Sequence, residues 1–385
     1  MQRGDSLNIQ AELVDVAEVS QLWGGKYSRK SSEIISVQEE ITREVSDRLR
    51  LRPTGEEQAR LTKRYTADPE AHQLYLKGRY YWNRRSEDSL RRATEHFQEA
   101  IGKDPGYALA WAGLADCYAV YSSHDVLPPR EAVLKAKEAA SKALALDDTL
   151  AEPHAALAWA KASYDWDWPG AEREFKRAIE LNPNHATAHS WYSLHLVAAG
   201  RPDEAITEAI RARERDPYSL SVSLGAGVTF YVARRYDQAI KQLDKTLEMD
   251  PNFAETHFWL GLAYEQVVRS EEAIAELQKE LSLSGGRTGG PGLVAHAYAA
   301  SGKRAEARKT LAELKELSKR RYVAPFEIAI IHAGLGEKTQ ALEWLEKAYE
   351  DHSFRLTWIK AWPQFDHLRG EPRFQALVRR MGLQP

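Results

Sequence analysis

The chain has 385 residues, more than one hydrophobic core ordinarily organises. Its 53 basic and 56 acidic residues leave a net charge of −3, which argues against general attraction to nucleic acid or anionic lipid. Cys117 is the only cysteine, which excludes an intrachain disulfide, and the hydrophobic share of 43% is ordinary for a soluble chain.

No apolar run approaches the ~20 residues that span a bilayer. The opening MQRGDSLNIQ lacks an apolar signal segment. The expected compartment is the cytoplasm, although a lone cysteine is also compatible with an extracytoplasmic site. Cys117 itself sits among apolar helical positions and reads as a small core residue.

Residues 1–55 form a first unit of their own. Leu7, Ile9, Ala11, Leu13 and Val14 alternate up to Asp15, the pattern of a strand. Gln21-Leu22-Trp23 reads as a second strand, with Gly24-Gly25 expected to break or bulge it. A lone hairpin is unstable in water and needs a cover. A helix bearing Ile34, Ile35, Val37, Ile41, Val45 and Leu49 supplies it, capped by Ser32 or Ser36 and stopping near Leu51 before Pro53. This ββα appendage leaves an open strand edge.

From about residue 56 the pattern is helical and repetitive. Small residues recur at Ala171, Ala205, Ala239, Ala273, Ala307 and Ala341, each 34 apart. A second series, Ser193, Gly227, Gly261, Ala295 and Ala329, keeps the same period. Helix pairs align at 186–219, 220–253, 254–287, 288–321 and 322–355, with insertion-bearing units at about 74–107, 108–150 and 151–185. The small positions let the two helices of a pair approach closely, and Tyr192, Phe230, Leu260, Tyr264 and Tyr298 fill the space beside them. Gly200, Gly302 and Gly336 end first helices, and Asp216-Pro217 and Asp250-Pro251 separate units. Glycines at 285, 286, 289, 290 and 292 predict a short or frayed first helix in unit 288–321, and residues 122–130 expand an earlier turn.

This pattern resembles the tetratricopeptide repeat family, on the strength of His257, Leu260, Gly261, Tyr264, Ala273 and Pro251 and their equivalents one unit away. The resemblance implies an all-α, right-handed α-α superhelix of about eight helix pairs over residues 56–355, whose first helices line a concave groove. Residues 1–52 are similar to the trailing half of the TolB-type amino-terminal domain, through RGDSLNIQAELVDV, QLWGGKYSRK and VQEEITREVSDRLRL. That second likeness implies a piece of a bacterial signalling protein with a kinase, cyclase or winged-helix output domain.

Chemical motifs are missing from the sequence. There is no P-loop, dinucleotide fingerprint or nucleophile elbow, so the expectation is a non-catalytic chain without cofactor or metal. His185, His189 and His195 read as packing and surface histidines, since His185 lies in a turn and His189 at the shared aromatic position. Asp165 and Asp167 flank Trp166, and capping of the helix at Pro169 accounts for them. Arg84, Arg85, Arg91 and Arg92, interleaved with Glu87, Asp88 and Glu95, read as a solvated helix face, and Lys319, Arg320 and Arg321 as another basic cluster.

The groove is where function is expected. Its inward positions are mostly apolar with a few carboxylates, and lack the Lys, Arg and Asn with which family members grip a C-terminal carboxylate. The expected peptide anchors are Trp159, Leu194, Tyr231, Phe258, Leu262, Glu265 and Phe326, since aromatics dominate hot spots. The expected partner is an amphipathic or hydrophobic protein segment with basic flanks. Filling of the same surface by neighbouring repeats or by a tail of this chain is the competing expectation. Trp159, Trp166, Trp168 and Trp191 are expected to fill an enlarged contact between two repeats. Two further functional readings are homo-oligomerisation through the N-terminal strand edge and service as docking domain of an enzyme outside this chain.

Residues 356–385 read as a cap. Trp358, Ile359, Trp362, Phe365, Leu368, Phe374, Leu377 and Val378 supply apolar mass to cover the last repeat, and Glu371 to Met381 should form the closing helix.

Overall fold

The structure is a computed structural model that describes residues 6–15, 18, 20–30, 33–49, 63, 65–121, 127–284, 290–320 and 322–384. Strand β1 (Ser6–Asp15) pairs antiparallel with β2 (Ser20–Lys30). The ladder runs through Gly24-Gly25 without a break. The register shift lies between Leu13 and Val14, where Leu13 faces Trp23 and Val14 faces Gln21, so that Leu22 is the extra residue.

Helix α1 (Ile34–Arg48) covers the hairpin. Its N-cap is Glu33, without a side-chain cap bond. Trp23 Nε1 and Tyr27 Oη both donate to Glu44 Oε2, each at 3.0 Å. Arg48 Nε donates to the Leu22 carbonyl at 2.6 Å, which ties the bulge to the end of the helix. The anticipated Ser32 cap and stop near Leu51 lie outside the described residues, as do Gly285, Gly286, Gly289, residues 122–126 and Arg321.

Sixteen helices follow as eight antiparallel pairs among the described residues. They are α2 (Pro69–Trp82) with α3 (Glu87–Lys103), α4 (Ala108–Tyr121) with α5 (Pro129–Leu146), and α6 (Glu152–Ala160) with α7 (Trp168–Leu181). Next come α8 (Ala186–Ala198) with α9 (Pro202–Arg215), and α10 (Leu220–Val232) with α11 (Tyr236–Met249). The last are α12 (Ala254–Gln266) with α13 (Ser270–Ser284), α14 (Gly290–Ala300) with α15 (Arg304–Leu317), and α16 (Pro325–Gly334) with α17 (Lys338–Glu350). The architecture is an all-helical, right-handed solenoid with a two-stranded appendage. α14 begins in the glycine-rich segment and has 11 residues, against 13 in α12.

Two repeated devices hold the pairs together. At Gly261 an added Cβ would stand 2.7 Å from the Leu277 side chain and 2.9 Å from the Ala273 carbonyl oxygen. The small residue therefore admits the backbone of the second helix and a leucine from its next turn. The second device is the link between helices. Gly200, Arg234, Val268, Gly302 and Gly336 all have positive φ, at 85°, 61°, 63°, 84° and 74°, and stand 34 apart. Each is followed by an amide that reaches back to the first helix, as in Arg201 N to Leu196 O and Arg269 N to Tyr264 O, both 2.9 Å. This is the Schellman arrangement.

After α17 the chain does not simply cover the last repeat. It forms two 3₁₀ turns, Phe354–Trp358 and Pro363–Leu368, and then α18 (Pro372–Arg380). α18 stays beside α17, with ion pairs Lys338–Glu371 at 2.8 Å and Arg380–Glu346. The two 3₁₀ turns run instead across the concave face.

Candidate functional site

The concave face is built from the first helices of consecutive pairs, of which α8 and α10 each bury 11 of their 13 residues. α10 is apolar nearly all round, as a helix packed on both sides must be, and α12 adds Glu255, His257 and Glu265 to an otherwise apolar surface. Inward positions that sequence patterning marks as exposed groove are thus available to a segment laid across them, and residues 354–368 are that segment.

The contacts run in order along the groove. The Trp159 ring lies 5.8 Å from Phe354, 6.5 Å from Trp358 and 5.2 Å from Trp191. Trp358 Nε1 donates to the Leu194 carbonyl at 3.3 Å. The Arg355 guanidinium stands 4.8 Å over the Phe258 ring. Trp362 stacks on Trp259 at 5.7 Å and lies 5.6 Å from Phe326, which also meets Phe365 edge-on at 5.7 Å. Gln364 bonds the Tyr231 hydroxyl at 3.2 Å, and its Nε2 is 3.5 Å from Glu265 Oε1. Arg234 and Asp366 close the rim with two bonds of 2.6 and 2.7 Å.

Of the seven expected anchors, Trp159, Leu194, Tyr231, Phe258, Glu265 and Phe326 therefore each touch the C-terminal segment, and Leu262 is fully buried in the same core. Burial pushes the Tyr231 phenol well up, with Glu265 adding to the shift. Glu265 is further engaged by His296, whose Nδ1 is 3.2 Å from its Oε1. Trp259, Phe354, Trp358 and Trp362 carry as much of the contact as the expected anchors. Trp259 was hidden because it neighbours Phe258 on one helix and faces sideways at 90° to it.

The tryptophan cluster departs from expectation in the same way. Trp159 and Trp191 do pack across repeats. Trp166 instead stacks on His352 at 4.7 Å and Tyr349 at 4.9 Å, and Trp168 Nε1 donates to the Met381 carbonyl at 2.6 Å. With Trp159 against Phe354 and Trp358, three of the four thus touch the C-terminal region, and a left-handed turn at Trp166 (φ 54°) rotates its ring toward the far end of the solenoid.

Arg85 corrects a second expectation. It is not on a solvated face: it is 6% exposed, with its guanidinium 3.6 Å over the Trp82 ring. Its φ of 59° folds the side chain inward, where burial brings its pKa down to about 10 against the opposing pull of Glu255. The histidines hold turns. His189 shares a 2.5 Å bond with Glu208 and a 3.0 Å bond with the Pro183 carbonyl. His257, two repeats on, repeats this with Glu276 and Pro251 at 2.5 and 2.9 Å. Asp167 caps α7 through the Gly170 amide at 3.0 Å.

A cavity of about 120 Å³ remains between the concave face and the start of the C-terminal segment. Trp159, Trp191, Phe258 and Trp259 wall it from the repeats, Phe354 and Trp358 from the segment, and Arg85, Arg355 and Glu255 contribute charge. Among the described residues no three metal-capable side chains converge, and no helix is long and apolar enough to cross a membrane.

Comparison with known proteins agrees with this architecture. The tetratricopeptide repeat family model matches residues 167–219 and 224–287. A putative adenylate cyclase 3 of Rhizobium meliloti is 31% identical over 109 residues, 28% of this chain and 19% of that protein. The transcriptional regulator HilA of Salmonella typhimurium is 26% identical over 156 residues, 40% of this chain and 27% of the regulator. The matches thus span only about a fifth and a quarter of these relatives. A solved monomeric IFIT1 mutant with Gppp-AAAA superposes with TM-score 0.52 at 14% identity, over 81% of this chain and 76% of that one, a likeness of fold. Over residues 167–219 and 224–287 the chain is built of tetratricopeptide repeats.

Proposed function

We propose that the chain is a non-catalytic protein-binding scaffold or sensor module of a bacterial signalling protein, working in the cytoplasm, with its partner segment seated on the concave face. Residues 1–55, 56–355 and 356–385 then act as an appendage of TolB-type likeness, a binding array and a regulatory cap. Resemblance to segments of an adenylate cyclase and a transcriptional regulator supports a place beside a separate output domain.

The observation that carries the reading is the seating of residues 354–368 on Trp159, Tyr231, Phe258 and Phe326. A surface that accepts an aromatic segment of its own chain has the shape and chemistry to accept a hydrophobic segment of another. Partner and tail then compete, and the apparent affinity falls by the fraction of time the tail is seated. The test uses a fluorescent peptide of residues 353–369 and the full chain carrying Trp358→Ala and Trp362→Ala. The double variant should bind the peptide at least ~10-fold more tightly than the unaltered chain, about 1.4 kcal/mol of relieved competition. Equal, weak binding by both chains would remove the groove as a peptide site.

The free edge of β1 favours a second reading, self-association, since β1 pairs with β2 alone among the described residues. Light scattering should then show a dimer that becomes a monomer when residues 1–52 are removed.

A further inference from the structure

We infer that the cavity between the concave face and residues 354–358 binds a small single-ring aromatic carboxylate. This goes beyond protein binding and does not depend on it.

Size comes first. About 120 Å³ is too little for a helix or peptide, and close to the ~150 Å³ that admits benzene in a protein interior. The space opens to solvent, so a ring can sit inside with a polar group at the mouth. Its walls are flat: Trp159, Trp191, Trp259 and Trp358 with Phe258 and Phe354, which suits a planar ring by stacking and edge contacts.

The polar atoms then choose the substituent. Arg85 Nε and Trp159 Nε1 are buried and have no hydrogen-bond partner among the described residues. Both residues are 6% exposed and line the cavity. Each nitrogen can only donate, so the ligand must bring acceptors. Arg355 is ion-paired with Glu327 at 3.5 Å, so its charge is already met. The buried Arg85 guanidinium lies over the Trp82 ring, with Glu255 pulling on it through space. A buried cation beside two unpartnered donors repels the cations that aromatic cages otherwise attract and favours an anion. Ser190 and Ser221 add hydroxyls beside the space. A carboxylate on one aromatic ring satisfies all of these conditions.

Such a ligand touches both the repeats and the segment carrying Phe354, Arg355 and Trp358. It therefore binds only the arrangement in which that segment is seated, and it holds the segment there. A metabolite of this class would act as a lock on the concave face.

The probes are benzoate, acetate and benzylamine, added to the full chain and followed by tryptophan fluorescence and thermal melting. Benzoate should quench saturably with a Kd of about 1 mM or tighter and raise Tm, while acetate and benzylamine do neither. Arg85→Gln should weaken benzoate at least ~10-fold, the loss expected of a charge-assisted bond, and Trp159→Phe, which keeps a ring but removes the donor, should weaken it several-fold. Circular dichroism establishes that each variant is folded. Should Arg85→Gln fail to fold, Trp159→Phe decides. No saturable response to ~10 mM benzoate, or unchanged affinity in the folded variants, overturns the assignment. These readouts contain no peptide, so their failure leaves the scaffold reading standing.

Discussion

A left-handed residue closes the turn between helices in five successive pairs, and the side chains that occupy it are unequal. Gly200, Gly302 and Gly336 take a positive φ without cost, whereas Val268 does so with a β-branched side chain that is 84% exposed and packs on little. The left-handed region costs an ordinary L-residue roughly 1–2 kcal/mol, part of which glycine returns through its freer unfolded chain. Val268→Gly should therefore stabilise the chain by about 0.5–1 kcal/mol, read as a higher urea midpoint at unchanged slope. His195 is a second strained residue, of another kind. It is buried among Trp168, Phe175 and Tyr192, its Nδ1 has no partner, and burial lowers its pKa to about 4. The unfolded chain takes up a proton near pH 6.5 that the folded chain refuses until about pH 4. Stability contributed by neutral His195 is thus complete above pH 6.5 and falls as pH drops toward 4. His195→Phe should flatten that part of the profile relative to the unaltered chain, measured as urea midpoints at pH 7, 5.5 and 4.5. Parallel profiles would show that His195 is not buried as described.

At the scale of elements, legibility followed the physics of each signal. Helix pairs were readable because close backbone approach demands a tiny side chain at one place per turn, and 34-residue spacing makes that demand visible from Ala171 to Ala341. The β1–β2 hairpin was readable for the same reason, since alternation marks a half-buried strand. The bulge was placed two residues off, because glycine permits irregularity without requiring it, and Arg48 anchors the Leu22 carbonyl instead. Helical position named the inward residues, and it left a partner segment and a tail of this chain as competing occupants. Nothing local distinguishes Trp358 and Trp362 covering an end repeat from the same side chains crossing to Trp159 and Trp259, more than 100 residues away in sequence. Arg85 was lost likewise: its charge pattern with Glu87 and Asp88 suits a solvated helix, and only the left-handed turn turns it inward. Periodicity reports repeated short-range packing, whereas closure of the solenoid is a single long-range event without a period.

For the whole molecule, that closure is the largest departure from a simple chain of neighbours. In an open solenoid each unit contacts only the next, and the ends can fray independently. Here Trp166 stacks on His352, the Tyr164 carbonyl accepts from His352 Nδ1 at 2.9 Å, and Trp168 binds the Met381 carbonyl, so the third and last pairs are joined directly. Leu356, Ile359, Trp362, Phe365 and Leu368 are at most 2% exposed. At about 1.5–3 kcal/mol per fully buried large apolar side chain, their burial alone is on the order of 10 kcal/mol, comparable with the whole stability of a typical domain. The half-exposed Arg234–Asp366 pair adds little beside this. Residues 353–385 are therefore expected to be part of the cooperative unit. A chain ending at His352 should bind a hydrophobic dye, self-associate in light scattering and melt over a broader range, because Trp159, Trp191, Trp259 and Phe326 become an exposed apolar patch. If that shortened chain is monomeric and melts as sharply as the full one, the concave face is stable bare, and residues 353–385 are a removable occupant instead of a structural closure.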